Sequence, residues 1–237
     1  MTFSQQIKEY VTKLPDSDYY LNNTNLLPSP ELRFRALDLV ESPDNVKVII
    51  LGQDPYPNAA SACGISFLDA QIKSFLDPQM APSLRNLLKS LLKYKNLSFN
   101  NMEEFRSLIK QKFTFKDPMS WFTALSQQGV LFLNAALTFE STETLSKHQK
   151  FWKQPVLEIF KQIMQHSNPV FVLMGSQAQK FEIEILKLKG QFRIVKTKHP
   201  VVNDFISEGL FQQIEAAQKE LGKEYIDFFE AQKKSNE

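Results

Sequence analysis

Four short stretches of this sequence carry side chains that could do chemistry together. Gly52-Gln53-Asp54-Pro55-Tyr56-Pro57 closes one apolar run, Asn134 closes a second, Gly175-Ser176-Gln177 closes a third, and His199-Pro200 follows a fourth. An Asn amide presents a donor and an acceptor side by side, and a His ring adds one more hydrogen bond, so the pair suits a flat polar ring. An Asp can act as a base or stabilise positive charge. Cleavage of a glycosidic bond passes through an oxocarbenium-like transition state, for which a nearby carboxylate is the natural partner. Taken singly, each residue is ordinary. Asp54 before Pro55 starts turns, and Gly175-Ser176 reads as a helix N-cap. Asn134 reads as a turn or cap residue, and His199 as a satisfied loop histidine. Their weight comes from where they fall.

Each stretch follows a short run rich in β-branched and apolar residues: Val46 to Leu51, Val130 to Leu133, Pro169 to Met174 and Phe192 to Val195. Runs so continuously apolar predict strands buried on both faces, as in a parallel sheet. Between them lie helical patterns. Ser83 to Leu97 places leucines 84, 87, 88, 91 and 92 on one face. Pro155 to Met164 repeats that rhythm with Val156, Ile159, Phe160 and Ile163. Ser176 to Leu188, Ser207 to Leu221, Met1 to Leu14 and Met102 to Lys112 are further predicted helices. Alternation of strand and helix predicts an α/β fold: a three-layer α/β/α sandwich around a four-stranded, mainly parallel central sheet. Ligands of open α/β sheets bind outside the carboxyl ends of the strands, so the four stretches should meet on one rim. No repeat or linker interrupts the chain. We expect one domain over 1–237, with an N-terminal helical segment to about residue 30 and a short extension after Gly222 ending in a charged, frayed tail.

The composition narrows the classes. Hydrophobic residues make up 43% and charged residues 23% of 237, enough apolar content for a sizeable core. Net charge is only +2, which excludes a histone-like coating protein but allows a local basic face. Cys63 is the lone cysteine, so no internal disulfide can form, and a reducing compartment is expected. Met1 to Leu14 lacks the long hydrophobic run of a signal peptide or membrane span. His148, His166 and His199 are far apart and no H-E-x-x-H helix occurs, so neither a metal nor a cofactor is expected. The expected location is cytoplasmic, or nuclear in a eukaryote, with no membrane partner.

These residues resemble the family-1 uracil-DNA glycosylases. Val48 to Tyr56 is similar to the family's water-activating loop, usually GQDPYH, and Gly64-Ile65-Ser66-Phe67 to the segment that follows it. Ala81-Pro82-Ser83-Leu84 resembles the proline-rich loop, and Leu131 to Thr138 the uracil-specificity segment. Gly175 to Lys180 is similar to the Gly-Ser loop, and His199-Pro200 to the start of HPSPLS. The motifs come in family order and span roughly Phe34 to Phe228. The resemblance implies an enzyme that hydrolyses the N-glycosidic bond of deoxyuridine in DNA and acts as a monomer. Asp54 would be the catalytic carboxylate, and His199 would donate to uracil O2 as charge builds there. Phe67 would stack on the ring, Asn134 would read O4 and N3, and Tyr56 would exclude a 5-methyl group. Gln53 would add backbone contacts. Pro82, Ser83, Gly175, Ser176 and Pro200 would hold the DNA while the nucleotide is extruded.

Two departures stand out. Pro57 replaces the usual His, as in poxvirus relatives, with a modest effect expected. After His199-Pro200, Val201-Val202-Asn203-Asp204 replaces Ser-Pro-Leu-Ser, and the stretch to Phe211 is several residues short. The leucine wedge that enters the duplex has no counterpart that can be placed, and Asp204 should repel phosphate. A preference for single-stranded uracil-containing DNA is therefore expected. Three other readings remain open at the level of sequence. Ser176 with Glu182 or Glu184 and His199 follows the chain order of an α/β-hydrolase triad, although Met174 stands where the nucleophile elbow needs glycine. The fold could instead be a non-catalytic docking module, or the pocket could take a different base.

Overall fold

The architecture is that of a computed structural model, which describes residues 1–229. Four parallel strands form one sheet in the order β2-β1-β3-β4: β1 is Val48–Gly52, β2 Val130–Asn134, β3 Val170–Met174 and β4 Arg193–Thr197. The predicted sheet is thus parallel throughout. From β1 the chain crosses first to β2 on one side and later to β3 on the other. That reversal opens a crevice at the carboxyl ends of β1 and β3, the usual ligand position in such sheets.

Alternation along each strand splits the core. Val48, Ile50, Phe132, Val172 and Met174 face one layer, with helices α4 (Pro82–Tyr94), α5 (Met102–Lys112), α6 (Pro118–Gln127) and α10 (Leu210–Glu220). Ile49, Leu51, Leu133, Phe171 and Leu173 face the other. There they meet α1 (Phe3–Thr12), α2 (Ser17–Asn22), α3 (Arg35–Val40) and α7 (Leu145–His166). Burial of so many large apolar side chains, each worth about 1.5–3 kcal/mol against exposure, holds the three layers together. Two short helices, α8 (Gly175–Gln179) and α9 (Glu182–Ile185), stand where one was predicted.

Several expectations change. β4 is an edge strand with Arg193 and Lys196 exposed, not a strand buried on both faces. Both cations are paired, Arg193 with Glu220 and Lys196 with Glu182, and such charges blunt an open edge. Helix α7 begins ten residues before Pro155, because His148 and Trp152 continue the buried face of Val156, Ile159, Phe160 and Ile163. Proline marked a helix start to the eye, but burial carries the helix through it. Helix α2 falls within the expected N-terminal helical segment, whereas α3 and α6 were not foreseen. The segment after Gly222 is packed as far as it is described. Ile226, Phe228 and Phe229 are buried, and the Trp121 indole donates to the Phe228 carbonyl at 2.8 Å. The charged tail expected beyond them lies outside the described residues. At the N-terminus, buried Arg33 donates to the carbonyls of Tyr20, Asn23, Leu26 and Pro28, tying the first thirty residues to the core. No helix among the described residues is long and apolar enough to cross a membrane.

Candidate active site

The site is built from the last residues of the strands. Gly52 is in register with Asn134. The ladder then continues one step, as Ala135 N–H donates to Gly52 O and Ala136 N–H to Gln53 O. These bonds fix the chain on both sides of Asp54 and Asn134. Gly52 is required there: a Cβ would sit 2.6 Å from Asn134 Oδ1 and 2.7 Å from Ser66 Cβ. The missing side chain is what lets the Asn134 amide lie against the strand end. That amide is almost wholly enclosed, with 8% of the residue exposed, and it faces a cavity.

The cavity, of about 220 Å³, is lined by Gln53, Asp54, Tyr56, Phe67, Asn134 and His199, together with Ser83 and Pro57. Burial pushes the Asp54 carboxyl up to about 6, against a smaller pull downward from a hydrogen bond with Gln53. A carboxylate held there is ionised at neutral pH yet poorly solvated, so it interacts strongly with any positive charge that develops beside it. The Tyr56 hydroxyl points to the Phe67 carbonyl at 3.5 Å, and burial pushes its phenol up, opposed by a hydrogen bond with Ser83. Phe67 has a φ of 65°, a left-handed backbone rarely adopted by an aromatic residue and costing on the order of 1–3 kcal/mol. The cost is met at a position that turns its ring into the cavity, 6.2 Å from the His199 ring centre.

His199 has one decisive contact. The backbone N–H of Val201 donates to its Nδ1 at 3.2 Å. Nδ1 is therefore the acceptor, and in the neutral ring the proton sits on Nε2. Burial lowers the pKa of the ring and favours that neutral form. Gly175, at φ 83°, makes room for it, since a Cβ would lie 2.8 Å from His199 Cβ. On the far side, Asn86 of α4 donates to the Pro200 carbonyl at 2.8 Å. The result is a neutral N–H donor, a half-buried carboxylate, an enclosed amide and an aromatic face around one small volume. Such a set can bind a planar polar ring, stabilise negative charge on it and stabilise positive charge on what it leaves.

The structure thus brings together Gln53, Asp54, Tyr56, Phe67, Ser83, Asn134 and His199. Gly175 and Ser176 line an adjoining hollow that shares Gln53 and His199 with the cavity. Pro82 and Pro200 are not part of the lining. Pro82 is exposed at the first turn of α4, and Pro200 is buried behind His199. Sequence reasoning missed the positioning residues Gly52, Asn86 and Val201. Asn86 had a signal, as a polar residue among the leucines of α4; the Val201 contact is made by backbone and had none. The other histidines lie elsewhere. His148 Nδ1 is hydrogen-bonded to the Thr138 hydroxyl, whose oxygen accepts from the Trp152 indole, in a buried network behind the β2 end. His166 pairs with Asp44 at the surface. Among the described residues, no group of three or more His, Cys, Asp or Glu could hold a metal ion.

Comparison with known proteins gives a consistent answer. The family model of the uracil DNA glycosylase superfamily matches residues 40–202. The chain belongs to this superfamily. The match ends at Val202, inside the loop that departs from the usual pattern. A uracil-DNA glycosylase of Borrelia hermsii is 31% identical over 217 residues, 90% of this chain and 86% of that protein. Another, from Amoebophilus asiaticus, is 35% identical over 185 residues, 76% and 71% of the two chains. Among solved structures, a UNG from Nitratifractor salsuginis superposes with a TM-score of 0.70 at 22% identity, covering 89% of this chain and 94% of that one, which supports the fold.

Proposed function

We infer that this member of the superfamily excises uracil from DNA in base excision repair, hydrolysing the N-glycosidic bond and leaving an abasic site. The observation that carries the reading is the pairing, across one small cavity, of half-buried Asp54 with a His199 whose Nδ1 is already occupied. In the mechanism we propose, an extruded deoxyuridine enters the cavity with its base over Phe67. The Asn134 amide, free to pair at the enclosed end, reads O4 and N3, and Tyr56 fills the space beside C5. As the bond lengthens, negative charge grows on the base and positive charge on the sugar. His199 Nε2–H stabilises the first at O2. Asp54 stabilises the second and orients or deprotonates the water that completes the hydrolysis.

The grip on the DNA is assigned to Pro82, Ser83, Gly175, Ser176 and Pro200, with Pro200 acting through His199 because it is itself buried. Single-stranded substrate is preferred. No leucine occurs between Pro200 and Gly209, and the next, Leu210, is fully buried at the start of α10. The exposed apolar residues on that lip are the shorter Val201 and Val202. The enzyme works as a monomer inside the cell.

The test is uracil release from a labelled single-stranded oligonucleotide, read by alkali cleavage of the abasic product. We expect Asp54→Asn to slow release by about 10²–10⁴-fold, the usual worth of such a group. Equal rates for wild type and a folded Asp54→Asn variant sink the mechanism. Faster release from duplex than from single strand sinks the strand preference alone.

A further inference from the structure

A second cavity, of about 260 Å³, opens beside the candidate active site, and nothing in the mechanism above uses it. Lys150 and Lys153 of α7 and Lys180 after α8 line it, over a floor that includes Ala135 and Phe181. Lysines three apart on a helix share a face, so the two from α7 point the same way. No carboxylate is among its lining residues. Of the three cations, Lys153 is ion-paired, with Glu184 at 3.0 Å, while Lys180 donates to the amide oxygen of Gln177 at 2.7 Å. On a chain whose net charge is only +2, three ammonium groups around one cavity are a concentrated positive feature.

Its position gives the feature meaning. Gln53 lines the uracil cavity, this basic cavity and the hollow between them. Gln177 lines the hollow and the basic cavity together. The three spaces therefore adjoin one another, from Asp54 past Gly175-Ser176 to the lysines. A chain that places one unit in the first space must pass its next units along the others or leave the surface.

We propose that the lysine-lined cavity holds the phosphodiester backbone of the DNA strand on one side of the extruded nucleotide. The ammonium rim suits phosphate, and the Ala135–Phe181 floor suits the apolar side of a sugar or base. The proposal rests on the glycosylase reading for its orientation but not for its basic claim, that the lysine-lined cavity binds single-stranded DNA. A grip of this kind would anchor a flexible strand without a wedge, in keeping with the altered loop after His199.

The test reads binding separately from chemistry. Affinity for a uracil-free single-stranded oligonucleotide is measured by fluorescence anisotropy across a range of salt concentrations. Wild type is compared with Lys150→Gln/Lys180→Gln and with the charge-matched Lys110→Gln/Lys112→Gln on α5, in the opposite layer. We expect the groove variant to weaken binding severalfold and to lower the salt slope by about 1.4, since each phosphate contact on a single strand contributes about 0.7. The control variant should leave the slope unchanged. Uracil release should then fall for substrates extended on one side of the deoxyuridine and hold for substrates too short to reach the lysines. An unchanged slope in the groove variant, or the same drop in the control, overturns the proposal. Wild type that binds DNA with the expected slope but releases no uracil overturns the glycosylase reading and leaves the groove standing.

Discussion

Residues 52–57 line the cavity and residues 200–204 follow directly on His199, which lines it too, yet the two stretches are held in different ways. The first stretch grows out of a central strand. It is bonded to the chain after β2, and it depends on a glycine so tight that a single methyl would meet Asn134. The second leaves an edge strand. Its Pro200 is anchored by Asn86, but Val201 and Val202 are exposed, and Asp204 forms a surface ion pair with Lys198 at 2.8 Å. The difference teaches where this fold keeps its precision. Groups that line the cavity are set by packing that a small change would disturb, whereas the stretch after His199 is held through Pro200 and surface pairing alone. The expected repulsion of phosphate by Asp204 is also tempered, because that carboxylate faces an ammonium group.

Gly52→Ala should break the comparison most sharply. Its methyl forces Asn134 or Ser66 to move, and displacements of about 1 Å at a reacting geometry cost on the order of 10²-fold in rate. We expect kcat/KM for uracil release to fall by about that factor in a protein that still folds cooperatively. Retention of full activity would show that the inner wall is as tolerant as the lip.

The pH profile comes next. In the proposed mechanism Asp54 acts as the anion, and its carboxyl is pushed up to about 6 by burial. Release should therefore drop by about tenfold per pH unit below that value. A profile flat down to pH 5 would mean that the burial of Asp54 has no kinetic consequence.

The same shift predicts a smaller effect on stability. A carboxyl whose folded pKa lies above its unfolded value binds its proton more tightly when folded. Its ionisation therefore opposes folding, with no cost below the unfolded value of 3.8 and the full cost above about 6. Asp54 is only partly enclosed, so solvent screening reduces the effect to on the order of 1 kcal/mol. Asp54→Asn should raise Tm at pH 7 by roughly 2–4 °C and leave it nearly unchanged at pH 4. An inactive variant that melts earlier at pH 7 would contradict the assignment of burial as the cause.

The smallest effect belongs to the lip. Asp204→Ala should change single-strand release by less than about twofold, because exposed ion pairs contribute little. A tenfold change would move the lip into the class of the inner wall.

How much of this was legible in advance follows from the physics of each part. Four apolar runs, each followed by a polar group, announced a parallel sheet with a functional rim, because strand burial and the position of ligand sites are both written in local pattern. Asp54, Tyr56, Asn134 and His199 could be named because they close apolar runs, and Phe67 only through the family resemblance; all five line one cavity. The length of α7 was not legible, since Pro155 is a local signal and the burial of His148 and Trp152 is a tertiary one. Nor was the edge position of β4, because a strand's neighbours are chosen by distant parts of the chain.

The sequence by itself determined the chemistry on offer: a carboxylate, an amide and an imidazole after three apolar runs and a Gly-Ser turn after the fourth, with no second cysteine to change that inventory. Only the tertiary structure decided the state in which they act. The raised Asp54 carboxyl comes from burial, the His199 tautomer from the N–H of Val201, and the seat of Asn134 from the space left by Gly52. Lys150, Lys153 and Lys180 lie up to thirty residues apart and line one cavity only in the folded chain. Residue type is local, but solvent, proton position and proximity are properties of the packed chain.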